Sequence, residues 1–230
     1  MKKVLLWIRM LFYLLPIWIT ARRCRKENFS VRFQVLKYWA DKVVNSAGVR
    51  VVTRGAEKVP MGVPVYFVSN HQGSLDPFIF MQKCPTPSTM VSKVENTKIP
   101  VISSWMKTME MIAFQRNDMR AALQMVKDTA AKLKEGKSVV IYPEGTRSKS
   151  AEMNEFKPGA LKPAFMAEVP VVPVAMKNSY LIDVKGNTKK DPEIIFLDPI
   201  PYEDYKDMNT TELAEKVQGL IAGQIKDNEE

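Results

Sequence analysis

Apolar positions recur along the chain at three different spacings. From Val4 to Ile19 almost every residue is apolar, broken only by Arg9 and Pro16. Next, Phe29, Phe33, Leu36, Trp39, Ala40 and Val43 return at helical spacing. The opposite face carries Arg32, Lys37 and Lys42, and Gly48 is placed to close that helix. Beyond it, short apolar runs ending in loop residues predict strands: "PVYFVSN", the weaker "MIAF", "KSVVIYPEG", "VPVVPVAM" and "EIIFLDPI". Prolines in the fourth of these limit its hydrogen bonding. Two long stretches have the helical period instead. "DMRAALQMVKDTAAKLKEG" has Asp118 at its start and Gly136 past its end, and "TTELAEKVQGLIAGQIKD" lies near the C-terminus. Strands alternating with helices predict an α/β fold, a mixed or largely parallel sheet flanked by helices. Sites in such sheets form in the loops that leave the carboxyl ends of strands. "SNHQGSLDP" and "YPEGTRS" both fall there.

Charge changes the reading of the first segment. The chain has a net charge of +9, but residues 1–60 hold 13 Lys+Arg against 3 Asp+Glu, whereas the other 170 hold 21 against 22. The basic excess therefore lies among the apolar runs of the N-terminal quarter, which argues against nucleic acid as the partner. An apolar run of about 16 residues is short of the roughly 20 needed to span a bilayer. Arg9 inside it, and "RRCRK" where a cleavage site would lie, also disfavour a signal peptide. Interfacial aromatics beside cations suit a helix lying in one leaflet. Residues 1–47 are thus expected to form a two-helix membrane-associated appendage and residues 48–230 the main domain. Trp7, Leu11, Trp18, Arg22, Arg23, Arg25 and Lys26 are its expected lipid contacts. Only two cysteines, Cys24 and Cys84, are present, too few and too far apart for a disulfide framework or a zinc site. No metal is implied, and the simplest reading is a reduced, cytosol-facing protein.

Candidate chemistry sits in the two predicted loops. His71 is the only histidine, and Asp76 follows five residues on. A neutral imidazole accepts a proton from a hydroxyl near pH 7, and a carboxylate on its other nitrogen fixes the tautomer. Gly73 and Ser74 allow the turn between them to bring the carboxylate back to the ring. A serine hydrolase fits poorly: there is no G-x-S-x-G, and Ser74 lies in that turn. In "YPEGTRS", Gly145 lets backbone amides face an anion, Thr146 adds a hydroxyl and Arg147 supplies a guanidinium suited to phosphate. Arg116 follows the strand "MIAF".

The ordered set of H-x-x-x-x-D, an arginine after an apolar strand, P-E-G-T-R-S and V-P-x-x-P-V resembles the glycerolipid acyltransferases. Within them it is most similar to the 1-acyl-sn-glycerol-3-phosphate (lysophosphatidate) acyltransferases. Asn70, His71 and Asp76 carry the first motif, Pro143 to Arg147 the third, and Val169, Pro170, Val172, Pro173 and Val174 the fourth. "FKPGA", Phe156 to Ala160, resembles the family's basic-glycine stretch. The second motif departs: Glu110 and Ala113 stand where the family usually has a glycine and an aromatic residue.

The resemblance implies that His71 is the general base and Asp76 its orienter. Arg116 and Arg147 are then expected to hold the acceptor phosphate. Gly145 would present backbone amide, and Glu144 would orient Arg147 or the acceptor glycerol. The co-substrate is acyl-CoA or acyl-carrier protein, with no cofactor, and the acceptor is a lysolipid met at the cytoplasmic face of the cell membrane. Acylation of another lysolipid, or lipid binding without catalysis, are the alternative readings.

Overall fold

In the computed structural model of the chain, residues 2–116, 118–184 and 191–226 are described, with side chains from Tyr13 onward. The helices are α1 (Lys2–Cys24), α2 (Phe29–Ser46), α3 (Asp76–Lys83), α4 (Pro100–Thr108), α5 (Met119–Lys134), α6 (Lys162–Ala167) and α7 (Thr210–Lys226). The strands are β1 (Val52–Arg54), β2 (Tyr66–Ser69), β3 (Ser88–Lys93), β4 (Ile112–Phe114), β5 (Ser138–Ile141), β6 (Val171–Lys177) and β7 (Glu193–Phe196). They form one sheet in the order β1-β7-β6-β2-β5-β3-β4. Only the β6–β7 pair is antiparallel, so the sheet is mixed, as the alternation of elements predicts.

Each expected strand is present, and the helix ends follow their caps. Asp118 accepts the backbone N–H groups of Arg120 and Ala121 at the start of α5, and Gly136 takes φ 82° beyond its end. Asn28 caps α2 by accepting from Val31 N, and Gly48 stands past its end at φ 71°. Pro173 lies inside the sheet, yet its missing donor costs little there. The β7 ladder begins only at Val174 and resumes at the Val171–Ile200 bridge.

Side chains alternate across the strands and build a core on each face. Phe67, Val140, Val172 and Met176 pack under α1–α4, whereas Tyr66, Val68, Val139 and Ile141 pack under α5–α7. Ala21, Phe33, Leu36, Ala40 and Val44 of α1 and α2 are buried in the first of these cores. The boundary at residue 47 is therefore one of chain order, while the packing is continuous. Among the described residues no helix is long and apolar enough to cross a membrane. The side chains of Trp7 and Leu11 lie outside the described residues.

Polar contacts fasten the first two helices as well. Arg25, expected among the lipid contacts, is exposed and also donates to Thr108 Oγ1 and Ser104 O, each at 3.4 Å. Arg32 of α2 reaches Thr108 O at 2.7 Å and Glu110 Oε1 at 3.0 Å. Lys132 and Lys137 grip the other oxygen of Glu110 at 2.7 and 2.5 Å. Burial alone would raise the Glu110 pKa, but hydrogen bonds from these three cations reverse that and bring it to about 2. Glu110 has φ 53°. A left-handed backbone suits glycine, which gives the family's usual residue its physical reason. The ionic cluster holds a glutamate there instead.

Candidate active site

The site forms where two neighbouring parallel strands, β2 and β5, send their chains in opposite directions across the sheet. Asn70 ends β2 with both arms of its amide on β6, donating to Met176 O at 2.9 Å and accepting from Met176 N at 2.7 Å. That clamp fixes the backbone from which His71 projects. The following turn presses against another loop, since a Cβ at Gly73 would lie 2.6 Å from Ser179 O. The chain then enters α3 at Asp76, which is fully buried. One carboxylate oxygen, Oδ2, meets His71 Nδ1 at 2.8 Å and accepts from Gln72 N at 2.6 Å and Gly73 N at 2.9 Å. A carboxylate at Nδ1 leaves Nε2 as the basic nitrogen. The imidazole stacks on Tyr142, with ring centroids 4.4 Å apart and planes 28° from parallel. The sequence thus brought His71 and Asp76 together correctly, while the stacking Tyr142 was not foreseen.

The loop after β5 is zipped to the His71 loop. Ser148 N donates to His71 O at 2.8 Å and Lys149 N to Gln72 O at 3.2 Å. Glu144 is 4% exposed and faces inward: Oε1 accepts from His71 N, and Oε2 accepts from Asn154 N and Nδ2, both at 2.9 Å. Burial pushes its pKa up, and those hydrogen bonds offset only part of the rise. Glu144 therefore supports the histidine loop, in place of the expected partnership with Arg147. Arg147 instead stands 3.7 Å from Asp183, whose carboxylate also accepts from Ser74 N at 2.8 Å and Ser74 Oγ. Gly145 has φ 68° and leaves room for the Lys157 side chain, whose Nζ would be 3.3 Å from a Cβ at that position.

His71 opens onto a cavity of about 1100 Å³ with two characters. Its apolar lining includes Ile17, Leu36, Ala40, Phe78, Met81 and Trp105 of α1–α4. The rest of the lining includes a set of cations. Lys93, Arg116, Arg147, Lys149, Lys157 and Lys162 line it, and among the described residues no Asp or Glu does. Thr146 and Gly145 also line it, so all the expected substrate contacts except Glu144 reach the cavity. The four lysines escaped the sequence reading because single lysines carry no spacing signal, although Lys157 lies in "FKPGA". Neither cysteine lines the cavity, and burial pushes the Cys84 thiol up to about 11.

An imidazole oriented by a buried carboxylate, opening onto a cavity lined by both apolar groups and cations, has the chemistry to take a proton from a substrate both fatty and anionic. The chain belongs to the acyltransferase family, whose sequence model matches residues 50–177. It is similar to a probable 1-acyl-sn-glycerol-3-phosphate acyltransferase of Mycoplasma genitalium, with 29% identity over 190 residues, 76% of this chain and 70% of that protein. The 1-acyl-sn-glycerol-3-phosphate acyltransferase of Borreliella burgdorferi is 26% identical over 179 residues, 78% of this chain and 71% of the relative. In fold, the chain matches the crystal structure of the 1-acyl-sn-glycerophosphate (LPA) acyltransferase of Thermotoga maritima. The TM-score is 0.76, at 21% identity, over 99% of this chain and 97% of that one.

Proposed function

We propose that the protein transfers a fatty acyl group from acyl-CoA or acyl-carrier protein to the sn-2 hydroxyl of lysophosphatidate, forming phosphatidate at the cytoplasmic face of the cell membrane. The observation that carries this reading is the opening of the His71–Asp76 pair onto one cavity lined by both apolar side chains and six cations. The names of the relatives point the same way.

In this mechanism His71 Nε2 takes the proton of the acceptor hydroxyl, and Asp76 stabilises the imidazolium. The oxygen attacks the thioester carbonyl and the carbon–sulfur bond breaks. The departing thiolate receives the proton back from His71. Base catalysis of this kind typically supplies about 10²–10⁴-fold, and alignment of the two substrates much of the rest. The apolar lining of the cavity holds the acyl chain. Arg116, for which the structure shows no hydrogen-bond partner among the described residues, and the loosely paired Arg147 take the acceptor phosphate.

The test is purified protein in detergent micelles with a panel of labelled lysolipids and both donors. Lysophosphatidate should be the preferred acceptor, and His71→Ala should remove turnover, since no second histidine exists. Arg147→Ala should weaken use of lysophosphatidate more than of an uncharged monoacylglycerol, a charge-assisted contact being worth about 1.5–3 kcal/mol. Equal use of phosphate-bearing and phosphate-free acceptors would overturn the assignment of the acceptor.

A further inference from the structure

Two turns of α5 break the usual rule for a helix surface. Met119 is 81% exposed and Leu123, one turn on and on the same face, 53%. Across the gap, Ile99 at the start of α4 is 47% exposed. The irregularity is local, because farther along α5 the exposed positions are Gln124, Lys127, Asp128, the small Ala131 and Lys134. Ile99, Met119 and Leu123 all line the cavity that holds His71, as do the exposed Tyr13 and Leu14 of α1. A side chain that both lines a cavity and faces solvent stands where the cavity opens. The mouth is thus rimmed by apolar groups from α1 and, independently, from the α4–α5 region.

Charge accompanies the patch. Lys98 is exposed immediately before Ile99, and Arg120 immediately after Met119. Two exposed acids lie nearby: Asp118, whose Oδ1 accepts from the amides of Arg120 and Ala121, and Glu95 in the short turn before α4. The exposed Arg116 and Lys93 add cations nearby in the sequence. Apolar groups between cations match a bilayer with anionic headgroups.

We propose that Ile99, Met119 and Leu123, with Lys98 and Arg120, form a second membrane-docking patch that seats the cavity mouth on an anionic bilayer. The proposal deepens the functional reading above, since a lysolipid acceptor resides in the bilayer that the patch would touch. One contact through α1 leaves the domain free to pivot. A second contact on another part of the rim fixes the mouth against the surface, so that an acceptor moves from bilayer to cavity without crossing water.

The experiment uses the full-length protein and vesicles of phosphatidylcholine with or without phosphatidylglycerol, with no acyl donor present. The double variant Met119→Ser/Leu123→Ser should bind both vesicle types about ten-fold more weakly or worse, the loss of two buried apolar side chains. Lys98→Gln/Arg120→Gln should lose affinity only for the anionic vesicles, and only at low salt. Leu220→Ser on α7, exposed but away from the cavity, should change neither. Should the serine variant misfold, Met119→Trp decides: its added emission should be quenched by lipids brominated along their chains. Unquenched emission at position 119, or vesicle binding by a folded serine variant equal to that of the parent, overturns the proposal and leaves the patch to a protein partner. Because binding is read without turnover, failure to acylate lysophosphatidate would remove the functional reading and leave the docking result standing.

Discussion

Glu144 accepts the backbone N–H of His71 at 2.5 Å, across 73 residues of sequence. The same carboxylate holds Asn154 through two more hydrogen bonds. Three donors therefore converge on a buried group that can only accept. Glu144→Gln would turn one end of the side chain into a donor facing a donor. The expected result is a loss of about 1–3 kcal/mol in stability, with a lower kcat and a smaller change in KM. Thermal melting beside steady-state kinetics checks it; a variant with native kcat would show that the histidine loop holds its place unaided.

Tyr142 separates two roles in one side chain. Its ring stacks on the imidazole, but its buried hydroxyl has no hydrogen-bond partner. Tyr142→Phe should keep kcat within about two-fold and leave stability equal or up to about 1 kcal/mol higher, because an unsatisfied polar group is removed. Tyr142→Ala should lower kcat, since the Asp76 hydrogen bond alone then positions the ring of His71. Parallel loss in both variants would mean that the hydroxyl matters.

Glu110 makes stability depend on acid. Its folded pKa is about 2, against an ordinary value of 4.5. A depressed carboxylate contributes stability that is complete above pH 4.5 and is lost as pH falls through 2. With Glu110 partly exposed and screened, the contribution is on the order of 2 kcal/mol. Denaturant titrations at pH 7 and at decreasing pH should show the wild-type advantage over Glu110→Gln shrinking across that window. Glu110→Gly would relax the left-handed backbone, yet should still be destabilising at pH 7, because Arg32, Lys132 and Lys137 lose their common partner.

Gly73→Ala tests how closely the catalytic turn is packed. The new methyl group would lie 2.6 Å from Ser179 O, which is backbone and cannot swing away. The turn has to shift, and Gly73 N carries one of the hydrogen bonds to Asp76. Activity should fall by about 10²-fold, the scale expected for a misplacement of about 1 Å, with a lower melting temperature. Native activity would mean that the turn tolerates displacement.

Much of this was legible in the residues and some was not. Asp118 and Gly136 marked the ends of α5 because capping chemistry is local. β2 and β5 stood out because buried strands are uniformly apolar. β1 is a three-residue edge strand with two exposed positions, and β3 mixes Ser, Thr and Lys with Met and Val, so neither has a clear period. The short α3 begins inside the catalytic motif, where the proline at 77 reads equally well as a turn. For the site, the His71–Asp76 contact spans five residues and could be foreseen. The inward turn of Glu144 could not, because Asn154 reaches it only through the loop that follows, and the sharing of Asp183 between Ser74 and Arg147 depends on tertiary packing.

The order of strands in the sheet also sets an order in time. β2, which leads to His71, pairs with β5 and β6, and these begin only at Ser138 and Val171. During synthesis this strand therefore waits for about 70 further residues before its first edge is covered and about 100 before its second. Such long-range pairings close slowly and leave unpaired edges exposed meanwhile. α1 and α2, made first, make their largest helix contacts with α4 and α3, while the sheet completes the core beneath them. Contacts among the first four helices can therefore form while the sheet is still being made, and the strand that leads to His71 is held on both edges only once β6 is in place.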